Sequence, residues 1–324
     1  MDFERWCSTS RVVIVAGKGG VGKTTVSAAL AVAAKQAGLN VLIVEVEGKS
    51  GLAATFDRPP LTYEEVELRP GIRARTLTPD DALVEYLQDH GLRRIGRRLS
   101  QSGALEVVST AVPGMKDILV LGKVKQLERD GVADLIVLDA PAAGHAVQFL
   151  LSARGLLDAV SVGPVNRQAA EVIELLGDPS RCQVMLVTLP EETPVSELVD
   201  TAYAIEDRAG VALGPIVVNG CAQEIVGLCA QPFGSGPAQA RSDATAVGIA
   251  LSDTDAHALA TAASVRLGLR ARQQEQRARL AARLPLPQIE LPFLFTADLG
   301  PDEIDTLAAA LTAGVLALDP ASTR

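Results

Sequence analysis

The chain has 324 residues, enough for one large or two ordinary domains with a continuous hydrophobic core, so a small module stapled by disulfides or metal is excluded. With 48% hydrophobic and 21% charged residues and a mean hydropathy of +0.23 it is too apolar for a disordered chain, yet no apolar run approaches the roughly 18 residues of a membrane-spanning helix. Thirty Lys and Arg against 39 Asp and Glu leave a net charge of −9, which argues against nucleic-acid binding through the overall field.

In chain order, the opening stretch MDFERWCSTS mixes both charge signs and lacks an apolar h-region, so cytoplasmic residence without a secretory signal is expected. Residues 12–16 are a short β-branched run that stops at Gly17. The Ala-rich stretch 24–36 has helical composition until Gly38 ends it, and a second apolar run, 41–46, follows at once. A strand, a glycine-rich turn, a helix and a strand predict a parallel pair joined by a right-handed crossover. Further buried strands are expected at 72–77, 135–139, 159–162, 183–188, 214–218 and 288–291, most of them separated by helical patterns. The expected fold class is therefore α/β, an open, doubly wound and mostly parallel sheet. One Trp, three Tyr and six Phe among abundant Ala, Val and Leu suit such a sheet under Ala-rich helices.

Two stretches break the rhythm. Residues from about 80 to 130 hold helical segments and the basic patch Arg93, Arg94, Arg97 and Arg98, which predicts a helical layer inserted over the sheet. Residues from about 230 to 244, with QPFGSGPAQARSDA, are expected to form a mobile loop, and 253–284 a long helix with a solvated face. Residues 1–324 then form a single domain. Cys7, Cys182, Cys221 and Cys229 make no CxxC pair, so buried thiols are expected instead of a disulfide framework or a zinc site.

The chemistry concentrates after the first strand. Gly17-Lys18-Gly19-Gly20-Val21-Gly22-Lys23-Thr24 satisfies G-x-x-x-x-G-K-[ST] between a predicted strand and a predicted helix, the setting that a phosphate loop requires. Glycines let successive backbone N–H groups turn onto phosphate oxygens, and the helix start adds its positive dipole end. The loop from Gly19, Gly20, Val21 and Gly22 to Lys23, Thr24 and Thr25 is expected to bind the phosphates of ATP, with Lys23 on the β- and γ-phosphates and Thr24 on Mg²⁺. Asp139, at the C-terminal end of a buried strand, is a second candidate metal-site residue by the general rule for open α/β sheets.

The loop KGGVGKT resembles the deviant Walker A motif of the signal-recognition-particle, MinD and BioD class of P-loop proteins. The resemblance implies that Lys18 reaches across a nucleotide-sandwich dimer to the partner's phosphates, a cation supplied in trans. Asp139-Ala-Pro-Ala-Ala-Gly-His145 resembles the switch II segment D-T-A-P-T-G-H of the arsenite-pump (ArsA) and tail-anchored-protein-targeting ATPases, with the proline one place early at Pro141. Pro113-Gly114 with Asp117, Val217-Val218-Asn219 and Leu189-Pro190-Glu191 are similar to further segments of that family, over about residues 11–219. The resemblance implies a P-loop NTPase fold, Asp139 as the Walker B-like carboxylate of the Mg²⁺ shell, Gly144 where the γ-phosphate is sensed, and Asn219 on the adenine.

One departure lies after the second strand. Where the family has D-P-A-H, this chain has Glu47-Gly48-Lys49-Ser50, so Glu47 takes the place of the aspartate that orients the attacking water. Its extra methylene leaves two readings open, a working carboxylate or the mark of a slow or silent site. Glu45, of the same parity on the strand, is the alternate. Three Met, no CxxC and a single phosphate loop support neither a tail-anchored client nor arsenite.

The leading expectation is a Mg²⁺-dependent, ATP-hydrolysing dimeric switch that couples nucleotide state to an unidentified protein client or membrane partner. The alternative is a nucleotide-gated interaction subunit with weak or no hydrolysis, acting in a heterodimer with a paralogous ATPase. A third is a MinD- or ParA-like positioning ATPase, although residues 305–318 carry no basic residue for an anionic membrane.

Overall fold

The computed structural model describes residues 3–7, 9–46, 51–89, 114–141, 143–226, 228 and 236–318. Eight strands form one sheet: β1 (Val12–Gly17), β2 (Val41–Val46), β3 (Val66–Arg69), β4 (Ile72–Leu77), β5 (Leu135–Asp139), β6 (Cys182–Thr188), β7 (Ile216–Cys221) and β8 (Gln288–Pro292). Their spatial order is β3-β4-β2-β5-β1-β6-β7-β8, and every neighbouring pair is parallel except the β3–β4 hairpin. The sheet is the doubly wound α/β arrangement of a P-loop NTPase. All six residues of β1 and of β2 are buried. Val12, Ile14 and Ala16 belong to one apolar core and Val13 and Val15 to a second, because alternate side chains leave opposite faces of the strand. Two covered faces explain why β1 reads as a continuous apolar run and why β2 is apolar at every position but Glu45.

One face carries the helices Lys23–Gln36 and Pro301–Leu316, and the other carries Met115–Arg129, Ala143–Ala159, Pro164–Gly177 and Glu192–Tyr203. Of the helical layer, Pro79–Asp89 and Met115–Arg129 are described, while Arg93, Arg94, Arg97 and Arg98 lie outside the described residues. Polar contacts fix these two helices. The Tyr63 hydroxyl donates to Glu85, Lys123 Nζ donates to the other Glu85 oxygen at 2.6 Å, and the Arg75 guanidinium lies 4.3 Å from the Tyr63 ring centroid. Burial alone raises the Glu85 carboxyl, but the hydrogen bonds from Lys123 and Tyr63 outweigh it and hold the group below the usual carboxylate range.

Two sequence expectations are corrected. Residues 159–162 are not a strand: Ala159 ends the helix Ala143–Ala159 and Val162 is 81% exposed. The slot between β5 and β6, the strands before and after this segment in the chain, is filled by β1, which pairs with both. The expected mobile loop ends sooner than 244, because Pro237–Ala246 is a helix with Gly236 at its N-cap and Pro237 in its first turn. Its start, 230–235, lies outside the described residues. Strand β3 is additional to the expected strands: its buried Leu68 sits between the polar Glu67 and Arg69, and Gly71, at φ 78°, turns the chain into β4.

Among the described residues Cys7, Cys182 and Cys221 are free and buried, and burial pushes each thiol up to about 12. Cys229 lies outside the described residues. Gly17 is required by close approach: a Cβ there would meet the Val187 carbonyl oxygen of the neighbouring strand at 2.4 Å. Gly17→Ala is expected to destabilise the fold by about 2 kcal/mol, read as a lower urea midpoint, because backbone cannot give way as a side-chain tip can.

Candidate functional site

The C-terminal ends of β1 and β5 converge on the start of the helix Lys23–Gln36. Gly20 and Gly22 adopt φ of 85° and 91°, the left-handed region that lets the loop curl, and a Cβ on Gly20 would meet nothing within 4 Å. The helix has no capping side chain and no acidic residue in its first turn. Its first amides are therefore left for an external acceptor. These features fit a bound phosphate chain.

Five side chains surround the loop and the start of this helix. Lys23, 8% exposed, donates from Nζ to the Lys18 carbonyl at 3.0 Å, so its ammonium folds back over the loop. The Thr24 hydroxyl donates to Asp139 Oδ2 at 2.7 Å, and Ser27, one turn further on, stands 3.5 Å from Asp139 Oδ1. Asp139 is 4% exposed at the end of β5. A hydroxyl beside a buried carboxylate is an oxygen-only donor set, which fits a hard divalent cation such as Mg²⁺. Asn219, in β7, donates from Nδ2 to the Val21 carbonyl at 2.9 Å and so binds the loop to that strand.

Structure thus brings together Lys18, Gly19, Gly20, Val21, Gly22, Lys23, Thr24, Thr25, Asp139 and Asn219 at one end of the sheet. Gly144 falls in the first turn of the helix Ala143–Ala159, directly after Asp139 and Pro141, and His145 beside it is exposed. Glu47, with Gly48, Lys49 and Ser50, and Pro113 lie outside the described residues. Lys18 points away from the loop interior: its ammonium pairs with Glu197 of the helix Glu192–Tyr203, and its side chain is 48% exposed. Sequence reasoning missed Glu197, which lies 179 positions from its partner and carries no motif. It also missed Ser27, whose signal was present as the i+3 neighbour of Thr24.

The family described as anion-transporting ATPase, of ArsA type, matches residues 10–161, the segment that runs from β1 through the glycine-rich loop to just past the helix Ala143–Ala159. ATPase BagA of Mycobacterium tuberculosis is 39% identical over 223 residues, covering 64% of this chain and 64% of that protein. The arsenical pump-driving ATPases of Escherichia coli and of Acidiphilium multivorum are each 30% identical over 212 residues, covering 64% of this chain and 34% of theirs. The chain therefore spans less than two thirds of the length of BagA and a smaller share of the pump-driving ATPases. The matched segment holds the glycine-rich loop and Asp139, and over residues 10–161 the chain is similar to the ArsA family of ATPases.

Proposed function

We propose that the chain binds Mg²⁺–ATP on the loop from Gly17 to Thr24, hydrolyses it, and transmits nucleotide state to a partner through the helical layer. The observation that carries this reading is the start of the helix Lys23–Gln36: uncapped, free of acidic residues, with Lys23 over the loop and Thr24 on buried Asp139. In this reading the loop amides and Lys23 hold the β- and γ-phosphates, Thr24 and Asp139 hold the metal, and Asn219 borders the base. Bound Mg²⁺ would neutralise charge on the β- and γ-phosphates. Gly144 would meet the γ-phosphate, and Glu47 is proposed as the carboxylate that orients water.

Lys18 gives the reading its quaternary form. Its exposed ion pair with Glu197 contributes at most about 1 kcal/mol, so it can be exchanged for a stronger acceptor such as the phosphate of a second chain. We therefore propose a cytoplasmic single-domain ATPase that closes as a dimer on ATP, with a protein or membrane partner on its helical layer. BagA and the pump-driving ATPases, named as ATPases, support nucleotide turnover. An arsenic client is not proposed, because Cys7, Cys182 and Cys221 are buried and far apart in the chain. Among the described residues no helix is long and apolar enough to cross a membrane.

Light scattering checks the assembly. Mg²⁺–ATP is expected to raise the mass from the 33.8 kDa chain to twice that value, with Lys23→Ala remaining at the single-chain mass. A wild-type chain that stays monomeric in saturating ATP would exclude a homodimer and favour the reading in which a paralogous subunit completes the site.

A further inference from the structure

Two buried carboxylates stand side by side near the loop. Glu45 of β2 is in register with Asp139 of β5, and they are 2% and 4% exposed. Residues paired across neighbouring parallel strands leave the sheet on the same face. That face is the one under the helix Lys23–Gln36, since Ile43, two residues before Glu45, and Val15, in register with Asp139, both pack in the core which that helix covers. The strands lie only about 4.8 Å apart.

Each carboxylate is held from its outer side. Thr76 of β4, in register with Glu45, donates its hydroxyl to Glu45 Oε2 at 3.1 Å, while Thr24 donates to Asp139 from the loop side. Every other residue of β2 is apolar and buried, so a charge at this one position is set against the pattern of its own strand. Adjacent buried carboxylates repel unless one is protonated or a cation lies between them. Strand β2 is also one place further from β1 than β5 is, and the longer glutamate side chain suits that added reach.

We propose that Glu45 is a second carboxylate of the metal site, holding water in the outer shell of the divalent cation that binds with nucleotide at Thr24 and Asp139. Mg²⁺ gives up its waters reluctantly and is held by few direct protein ligands, so an outer-shell carboxylate is the contact its chemistry favours. This role differs from orienting the attacking water, which the sequence reading considered for Glu45 as the alternate to Glu47. The inference rests on the loop being a Mg²⁺–nucleotide site.

The test measures binding of a fluorescent ADP analogue to the full chain in Mg²⁺ and in EDTA, where the ratio of the two affinities reports how strongly metal and nucleotide are coupled. Glu45→Gln is expected to leave EDTA affinity within about twofold and to cut the ratio about tenfold, the worth of one hydrogen bond to a charged group. Asp139→Asn should move the ratio the same way, and Thr76→Val, which keeps the Glu45 charge, should change it less than about threefold. An unchanged ratio in Glu45→Gln beside a reduced one in Asp139→Asn overturns the proposal, as does an equal loss in Thr76→Val and Glu45→Gln. Should Glu45→Gln fail to fold, Glu45→Asp carries the test: its shortened reach is expected to cost part of the ratio, and an unchanged ratio overturns the proposal. A wild-type chain that does not bind the analogue, or a Lys23→Ala chain that binds it as wild type does, fails the underlying nucleotide reading instead.

Discussion

Lys23→Ala is expected to weaken ATP binding by about 100-fold, or about 3 kcal/mol, in an equilibrium titration with a fluorescent ATP analogue. In the structure the Lys23 ammonium has Lys18 carbonyl oxygen at 3.0 Å and is almost wholly covered, at 8% exposure. A charged donor already withdrawn from bulk water binds phosphate with little further desolvation, so its removal is costly. The helix Lys23–Gln36 keeps its buried Val26, Ala28, Ala29 and Leu30, and the variant should therefore fold. An unchanged affinity would remove the loop from the nucleotide site.

Lys18→Ala is expected to divide these properties differently. Nucleotide affinity should stay within about twofold of wild type and turnover should fall by 100-fold or more, the order of effect of a cation supplied to transferring phosphate. Its side chain is half exposed and its partner Glu197 is 37% exposed, so the stability of the single chain should change by less than about 1 kcal/mol. Steady-state phosphate release beside the binding titration checks this. Wild-type turnover in Lys18→Ala would exclude any role for this lysine in catalysis.

The loop and most of the strands were legible in the sequence because their signals are local. Residues 12–16 are an unbroken apolar run, 41–46 are apolar but for Glu45, and Gly22, a fixed position of the motif, has left-handed backbone. What escaped depends on the partner. Residues 159–162 have strand composition, but β1 occupies the slot between β5 and β6, and Ala159 instead ends a helix. Strand β3 has only four residues with one of them buried, and its antiparallel pairing with β4 creates it. The site divides in the same way. Thr24 and Asp139 were readable from motif and strand end, whereas Glu197 meets Lys18 across 179 positions. In the sequence Glu45 and Glu47 are alike in parity, and only the register of β2 on β5 sets Glu45 beside Asp139.

The central claim is a Mg²⁺–ATP site completed by a second chain, and the most direct measurement is phosphate release per chain as a function of chain concentration at saturating Mg²⁺–ATP. The account predicts turnover per chain that rises with concentration to a plateau and falls by about 100-fold or more in Lys18→Ala. Turnover per chain that is constant across the range, or absent throughout, would contradict it.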